Sequence, residues 1–367
     1  MSDVIHVPVT VVRQFMLDAF VALGVREDDA CICADVLIAS DLRGIESHGI
    51  GRLKYYYDRI VAGVQFPRAE MEVVRETETT ALVDGHHGMG HPTAYRSMQM
   101  AINKARHYGL GAVAVRNNTH FGIAGYYALM AAGQGLMGLA FTNARPSIAP
   151  TFGTEPMLGT NPIAFAAPSD GEFPFCFDGA TSIAQRGKIE IADRAEKAVP
   201  AGLVIGADGR SLTEAPFILQ ALEQGQAALL PLGGVGEAFA GYKGYGLATI
   251  VEILCASLSG GAFLKDLLGV AEDGSRRPFM VGHFFMAIDI EHFLTLEESK
   301  RITGAIMRGL QQANRAPGED RVYVAGEKEF ESEARVRALG VPVNSNLRQQ
   351  MCAVRDALHL EAYRAYF

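Results

Sequence analysis

Three polar side chains recur at intervals of four in the stretch ESHGIGRLKYYYDRI, which runs from Glu46 to Ile60: His48, Arg52 and Tyr56. An α-helix turns once in about 3.6 residues, so this spacing stacks the three on one helical face, where they can converge on one small target. Imidazole, with an unperturbed pKa of about 6.5, exchanges protons near neutrality. A guanidinium one turn away can grip a carboxylate through a two-pronged hydrogen bond. Together they suit a substrate whose reacting oxygen lies beside a carboxylate, although the same spacing is common on helices that merely face water.

A second histidine, His120 in RNNTHFGIAGYY, follows the β-rich run GAVAV. It falls where a strand gives way to a helix, a frequent place for reactive groups in α/β proteins, and one where a capping or core histidine is equally at home. His86 and His87 fall in a turn, and His283 and His292 flank an apolar strand. No H-E-x-x-H or similar ligand spacing occurs, so no essential metal is expected. The five cysteines (Cys31, Cys33, Cys176, Cys255, Cys352) show no C-x-x-C pair and sit in apolar settings, as reduced core thiols do. Four segments, GMGHPT, GLGAVA, GVGEAF and GYGLAT, open as G-x-G, but none supplies the third glycine of the Rossmann phosphate turn. A P-loop is absent as well. Any nucleotide cofactor must therefore be held by another architecture.

The elements that position these groups change character along the chain. Val11, Val12, Phe15, Met16, Ala19, Phe20 and Leu23 keep a helical period, GVREDDA supplies a stop and an acidic restart, and a second helix runs toward Leu42. The polar triplet reads as a third helix, weakened in its first turn by Gly49 and Gly51. From about Met71 the period shortens: MEVVRE, TALVDG, GAVAVRN, GLMGLAFTN, PIAFAAP and PFCFDG read as strands, with helices over HPTAYRSMQMAINKARHYG and IAGYYALMAAGQG. HFFMAIDI is a further strand, and TLEESKRITGAIMRGLQQAN a helix with Thr295 and Glu298 in capping-box spacing. The mixture predicts an α/β (α+β-like) protein around a mixed sheet, with interleaved domains and no flexible linker.

Composition narrows the partners. At 367 residues and 49% hydrophobic the chain has room for one large or two medium domains. A net charge of −8 without any long basic run opposes binding to nucleic acid or an anionic membrane surface. The apolar stretch from Tyr245 is broken by Glu252 and paired glycines, as in a buried helix and unlike a membrane span. The N-terminal MSDVIHVPVTVVRQF does not resemble a signal peptide, and a cytoplasmic protein is expected.

Six ordered segments, SDLRGIESHGIGRL, NTHFGIAGYYALMAA, FTNARPSIAPTFG, LGTNPIAFAAP, FDGATSIAQRGKI and YKGYGLATIVEILCASLSGG, resemble the signatures of the malate/L-lactate dehydrogenase family of NAD(P)-dependent oxidoreductases. This group includes sulfolactate, ureidoglycolate and diketogulonate enzymes and cyclic imine reductases, and is unrelated to the Rossmann-type lactate and malate dehydrogenases. The resemblance spans about Val4 to Gly340. It implies a non-Rossmann nicotinamide-binding domain (residues 71–295) packed on a helical domain formed by both chain ends (residues 1–70 and 296–367), and a homodimer with active sites near the subunit interface.

Carried over by position, the resemblance assigns proton transfer to His48 and His120 and the substrate carboxylate to Arg52. Its cofactor segments map onto Asp178, Ala180, Thr181 and Ser182, onto Lys243 and Gly244, and onto Pro317, Gly318 and Glu319 in a late loop. Small residues there would let the backbone approach the dinucleotide, the hydroxyls of Thr181 and Ser182 would donate to phosphate or ribose, and Lys243 would neutralise the pyrophosphate. Three positions depart from the pattern: Gly179 for Met, Tyr242 for His and Ala144 for Ser. Arg186 and Lys188 could serve the 2′-phosphate of NADP or bridge to a neighbouring element, and NAD is slightly favoured. The expected substrate is a small anionic 2-hydroxy or 2-oxo acid, malate/oxaloacetate first and lactate/pyruvate next. The alternatives are reduction of a cyclic imino acid and, from another class, a non-catalytic nucleotide-binding protein.

Overall fold

Val12, Phe15, Met16, Ala19 and Phe20 are all fully buried in the computed structural model, which describes residues 4–367. The chain begins with β1 (Ile5–Val7), α1 (Val9–Ala22) and α2 (Glu27–Leu42), makes two short 3₁₀ turns, and continues into α3 (Leu53–Val61). Six strands follow with two helices between them: β2 (Glu72–Glu76), β3 (Thr80–Asp84), α4 (Gly90–Tyr108), β4 (Leu110–Asn118), α5 (Ala124–Ala132), β5 (Leu136–Thr142), β6 (Ile163–Ala167) and β7 (Phe175–Gly179). A small lobe holds α6 (Arg186–Arg194), β8 (Val204–Gly206), α7 (Ala215–Glu223) and β9 (Ala227–Leu229). Then come α8 (Gly241–Ala256), β10 (Val281–Asp289), α9 (Leu296–Gln311), α10 (Glu327–Leu339), β11 (Val341–Val343) and α11 (Ser345–Ala357).

The main sheet has seven strands in the order β2-β3-β4-β10-β5-β6-β7. Only β3 and β4 run parallel, joined through α4, and every other neighbouring pair is antiparallel. A Rossmann sheet needs successive parallel crossovers, so the missing glycine fingerprint and the topology agree. The late strand β10 fills the centre, pairing with β4 on one side and β5 on the other. Helices α4 and α5 cover one face through Ala94, Met98, Ala101, Ala128 and Ala131. The other face receives Val251 and Cys255 of α8.

Both chain ends feed one core. Phe15, Phe20, Leu37 and Tyr56 from the first three helices pack with Val336, Val341, Val343, Met351, Val354 and Phe367, and β1 pairs antiparallel with β11. The strands read from the sequence are all present, and Thr295 caps α9 by accepting the Glu298 backbone N–H. All five cysteines are free, with Cys31 and Cys352 only partly buried. Among the described residues, no helix is long and apolar enough to cross a membrane.

Two elements differ from expectation. The third helix starts at Leu53, so His48 and Arg52 lie on 3₁₀ turns ahead of it, and only Tyr56 is α-helical. Gly49, at φ −92° and ψ −141°, is what breaks the helical path. The apolar helix α8 is half-buried: Ala248, Val251 and Cys255 pack inward, while Leu247, Ile250 and Ile253 face outward at 39, 52 and 53% exposure.

Candidate active site

The two 3₁₀ turns form because a carboxylate from α2 reaches up beneath them. Asp41 is buried, and its Oδ2 accepts the backbone N–H of Ile50 at 2.8 Å. A Cβ on Gly49 would overlap that carboxylate, so only glycine lets the chain pass so close. Burial, outweighing the Ile50 hydrogen bond, pushes the Asp41 carboxyl up to about 8. Above this anchor, Arg52 Nε donates to the carbonyl of Ser47 at 2.7 Å, and Ser47 Oγ lies 2.8 Å from Nδ1 of His48. His48 and Arg52 are therefore neighbours through a folded loop, which replaces the helical pitch that the spacing suggested. Gly49→Ala is expected to displace this loop, lowering kcat/KM by on the order of 10²-fold, since reactive groups lose about that much from ångström-scale misplacement. Steady-state kinetics beside a melting curve would check it, with the loss in kcat/KM exceeding that accounted for by unfolding.

His120 arrives from a different part of the fold, two residues beyond the end of β4. Its ring stacks on His48 with centroids 5.3 Å apart and planes at 28°. Its Nδ1 lies 2.6 Å from the Tyr56 hydroxyl and also receives the Gly122 N–H at 3.3 Å. Both histidines are half-buried, each keeping some surface open to water. Burial, and then the positive charge of Arg52, lowers His48 to about 4. Burial, then His48 and Arg52, takes His120 well below its ordinary value. At neutral pH both rings are neutral.

Behind His120, Asp178 at the end of β7 accepts the Gly125 N–H at 2.7 Å and so pins the first turn of α5. Although Asp178 keeps an exposed surface, the protein packed around its carboxyl raises it to about 6 against the opposing Gly125 bond. Ala180 follows, half-buried. Thr181 is 1% exposed and its hydroxyl lies 3.1 Å from the carbonyls of both Thr160 and Asn161. In this structure its proton is directed at the protein's own backbone. Ser182 differs: its Oγ is buried without any partner. At Gly179 the space that a Met would take is filled by the Phe177 ring.

The two main cofactor segments meet. Leu232 N–H donates to the Thr181 carbonyl at 2.9 Å, and Gly244 packs so tightly on Leu232 that no Cβ would fit. Between them Gly233, Gly234 and Gly236 all have positive φ and lead into the N-terminus of α8, whose first turn carries Lys243, exposed and without a carboxylate partner among the described residues. Open helix N–H groups, a lysine and an unpartnered buried hydroxyl form a donor set that fits a dinucleotide phosphate. Pro317, Gly318 and Glu319 form an exposed turn with no hydrogen bond or ion pair to either segment. Arg186 is occupied: it bonds Glu190 at 3.0 Å and Glu223 on α7 at 2.6 Å. Among the described residues no cluster of three His, Cys, Asp or Glu side chains could hold a metal ion.

The spacing argument missed two arginines. Arg59 lies 5.8 Å from the Tyr55 ring, as does Arg52 on its own side, and Arg59 Nε is buried without a partner. The Tyr55 hydroxyl is raised by burial, opposed by the charges of Arg59, Arg52 and Arg145. None of these three arginines pairs with a carboxylate among the described residues. A signal for Arg59 did exist, since positions 52, 55, 56 and 59 keep the i, i+3, i+4, i+7 rhythm of one helical face. Arg145, on a loop, had none.

An arginine held beside two stacked neutral imidazoles, in a protein whose sheet is not of the Rossmann type, suits a nicotinamide-dependent 2-hydroxyacid dehydrogenase. The chain belongs to the malate/L-lactate dehydrogenase family, whose family model matches residues 7–352. It is 42% identical to a malate dehydrogenase of Pyrococcus horikoshii over 98% of this chain and 97% of that one. It is 36% identical to an L-sulfolactate dehydrogenase of Methanocaldococcus jannaschii over 95% of this chain and 96% of that one. The crystal structure of malate dehydrogenase from Entamoeba histolytica superposes with a TM-score of 0.94 at 42% identity, covering 97% of this chain and 99% of that one. Across the family both NAD⁺- and NADP⁺-linked enzymes occur.

Proposed function

We propose that this protein interconverts oxaloacetate and malate with NAD as its cofactor, working as a cytoplasmic homodimer. The observation that carries this reading is the stacked His48–His120 pair with Arg52 tied beside it. Arg52 holds the carboxylate adjacent to the carbonyl, and the histidine pair faces the carbonyl oxygen. Ser182, Lys243 and the α8 N-terminus would hold the dinucleotide, with Asp178, Ala180, Thr181 and Gly244 shaping the strip and the Pro317–Glu319 turn at its margin, and the chemistry supplied there would be hydride transfer to the carbonyl carbon. His48 provides the proton to the developing alkoxide in reduction and removes it in oxidation. In this reading residues 1–70 with 296–367 make the helical domain and residues 71–295 the cofactor domain.

A dianionic substrate is favoured because Arg59 and Arg145 add unpaired positive charge that a monoacid would not use. NAD is favoured because Arg186, a candidate for the 2′-phosphate, is already engaged by two glutamates. The outward apolar face of α8, Leu247, Ile250 and Ile253, suits a second copy of the chain. A net charge of −8 argues against nucleic acid or an anionic membrane as a partner.

Purified protein assayed with NADH and NADPH against oxaloacetate, pyruvate, 3-sulfopyruvate and a cyclic imino acid tests the reading. Oxaloacetate with NADH should lead, exceeding pyruvate by about 10–100-fold in kcat/KM for one extra charge-assisted contact. Equal use of pyruvate, or faster turnover of the imino acid, would remove malate as the substrate.

A further inference from the structure

We infer that Tyr56 is a positioning residue that holds His120 as its neutral Nε2–H tautomer, so that His120 serves as a fixed hydrogen-bond donor and proton exchange falls to His48 alone. The inference rests on the dehydrogenase reading of this site and distinguishes two histidines that sequence treats alike.

Tyr56 is completely buried, and among the described residues the one polar partner of its hydroxyl is His120 Nδ1, at 2.6 Å. The backbone N–H of Gly122 points at the same nitrogen from 3.3 Å. Two donors converging on one ring nitrogen require that nitrogen to present its lone pair, which leaves the ring proton on Nε2. Protonating Nδ1 would strand the Tyr56 hydroxyl hydrogen and the Gly122 N–H, the first of them in the core. The groups around His120 give the imidazolium no compensation. His48 and Arg52 come from the 3₁₀ turns, Tyr55 and Tyr56 from α3, His91 from α4 and His283 from β10, and none of these is a carboxylate. The lowered affinity of His120 for a proton has the same sense.

His48 faces the opposite situation. Its Nδ1 partner is the hydroxyl of Ser47, which is exposed. That hydroxyl can donate to a neutral ring or, turning its own hydrogen to water, accept from a charged one, so His48 changes protonation without stranding a buried group. In reduction the charged His48 breaks its N–H bond, keeps the electron pair on the ring and passes the proton to the substrate oxygen. His120 donates its N–H hydrogen bond to the same oxygen and retains its proton throughout. One proton is consumed per carbonyl reduced and one released per alcohol oxidised.

Nitrogen-15 NMR of the full-length protein labelled at histidine decides the tautomer, with His48→Gln and His120→Gln used for assignment. Expected are a His120 spectrum with unprotonated Nδ1 that stays constant across about pH 5–8, and loss of that fixed tautomer in Tyr56→Phe. In kinetics, His120→Gln, which keeps an N–H donor, should retain the pH dependence of reduction at lowered kcat, and His48→Gln should abolish it. A His120 protonated at Nδ1 in the wild-type protein, or one titrating in that range, overturns the inference even if Tyr56→Phe does not fold. Because the spectrum is recorded on resting protein, silence across the acid panel would count against the dehydrogenase reading and leave the tautomer result intact.

Discussion

His48→Gln is expected to lower turnover by about 10²–10⁴-fold, the range that a positioned general acid–base contributes, with KM for the oxo acid changed only a few-fold. Glutamine has similar reach and can keep a hydrogen bond to Ser47, so the loss falls on the transferable proton and not on the fold. The pH profile carries the mechanism. With His48 lowered to about 4 by burial and then by Arg52, the ring at neutral pH is an unprotonated base, ready for alcohol oxidation. Reduction draws on the protonated minority, so its kcat/KM should fall tenfold for each unit that pH rises above this pKa. A substrate carboxylate on Arg52 cancels the nearby positive charge and raises His48 in the complex, so the kcat profile should lie at higher pH than the kcat/KM profile. Steady-state profiles in both directions on wild type and His48→Gln check this. A variant within tenfold of wild-type turnover would relieve His48 of the role.

What the sequence showed plainly was local. The apolar rhythm of α1 and the alternation in the strands of the main sheet depend on neighbours a few residues away, and both lie where the spacing placed them. The polar triplet was misread because its shape depends on Asp41, eight residues before Gly49, whose carboxylate occupies the volume a helical residue would need. The central place of β10 was equally invisible, since its partners β4 and β5 lie more than a hundred residues upstream. Chemistry types were legible while their commitments were not. Thr181 and Ser182 are adjacent hydroxyls, yet one is spent on two backbone carbonyls and the other is free. Tyr56 appeared as a third group aimed at substrate, and the fold turns its hydroxyl onto His120, a contact across 64 positions that no helical period encodes.

Arg52→Leu is expected to reduce kcat/KM for every 2-oxo acid by about 10²–10³-fold, chiefly through KM, because removing one partner of a desolvated charge pair costs roughly 2–5 kcal/mol. Lysine should not rescue it, since a point charge cannot reproduce the guanidinium fork. Arg52 also ties the loop to Ser47, so a fall in activity could reflect a collapsed turn, and two further readings separate these causes. Loss of the positive charge that depresses His48 should move the pH profile of reduction toward alkaline pH in Arg52→Leu but not in Arg52→Lys, which keeps the charge, whereas a collapsed loop would relieve the burial of His48 and move the profile in both variants. Arg59→Leu and Arg145→Leu, by contrast, should leave pyruvate reduction nearly unchanged and narrow the advantage of oxaloacetate, because their charges serve only a second carboxylate. If Arg52→Leu discriminated between mono- and diacids while Arg59→Leu did not, the assignment of the two carboxylates would have to be exchanged. In that case the reacting carbonyl would sit nearer Tyr55, and the histidine pair would lose the place beside it that the loop geometry now gives.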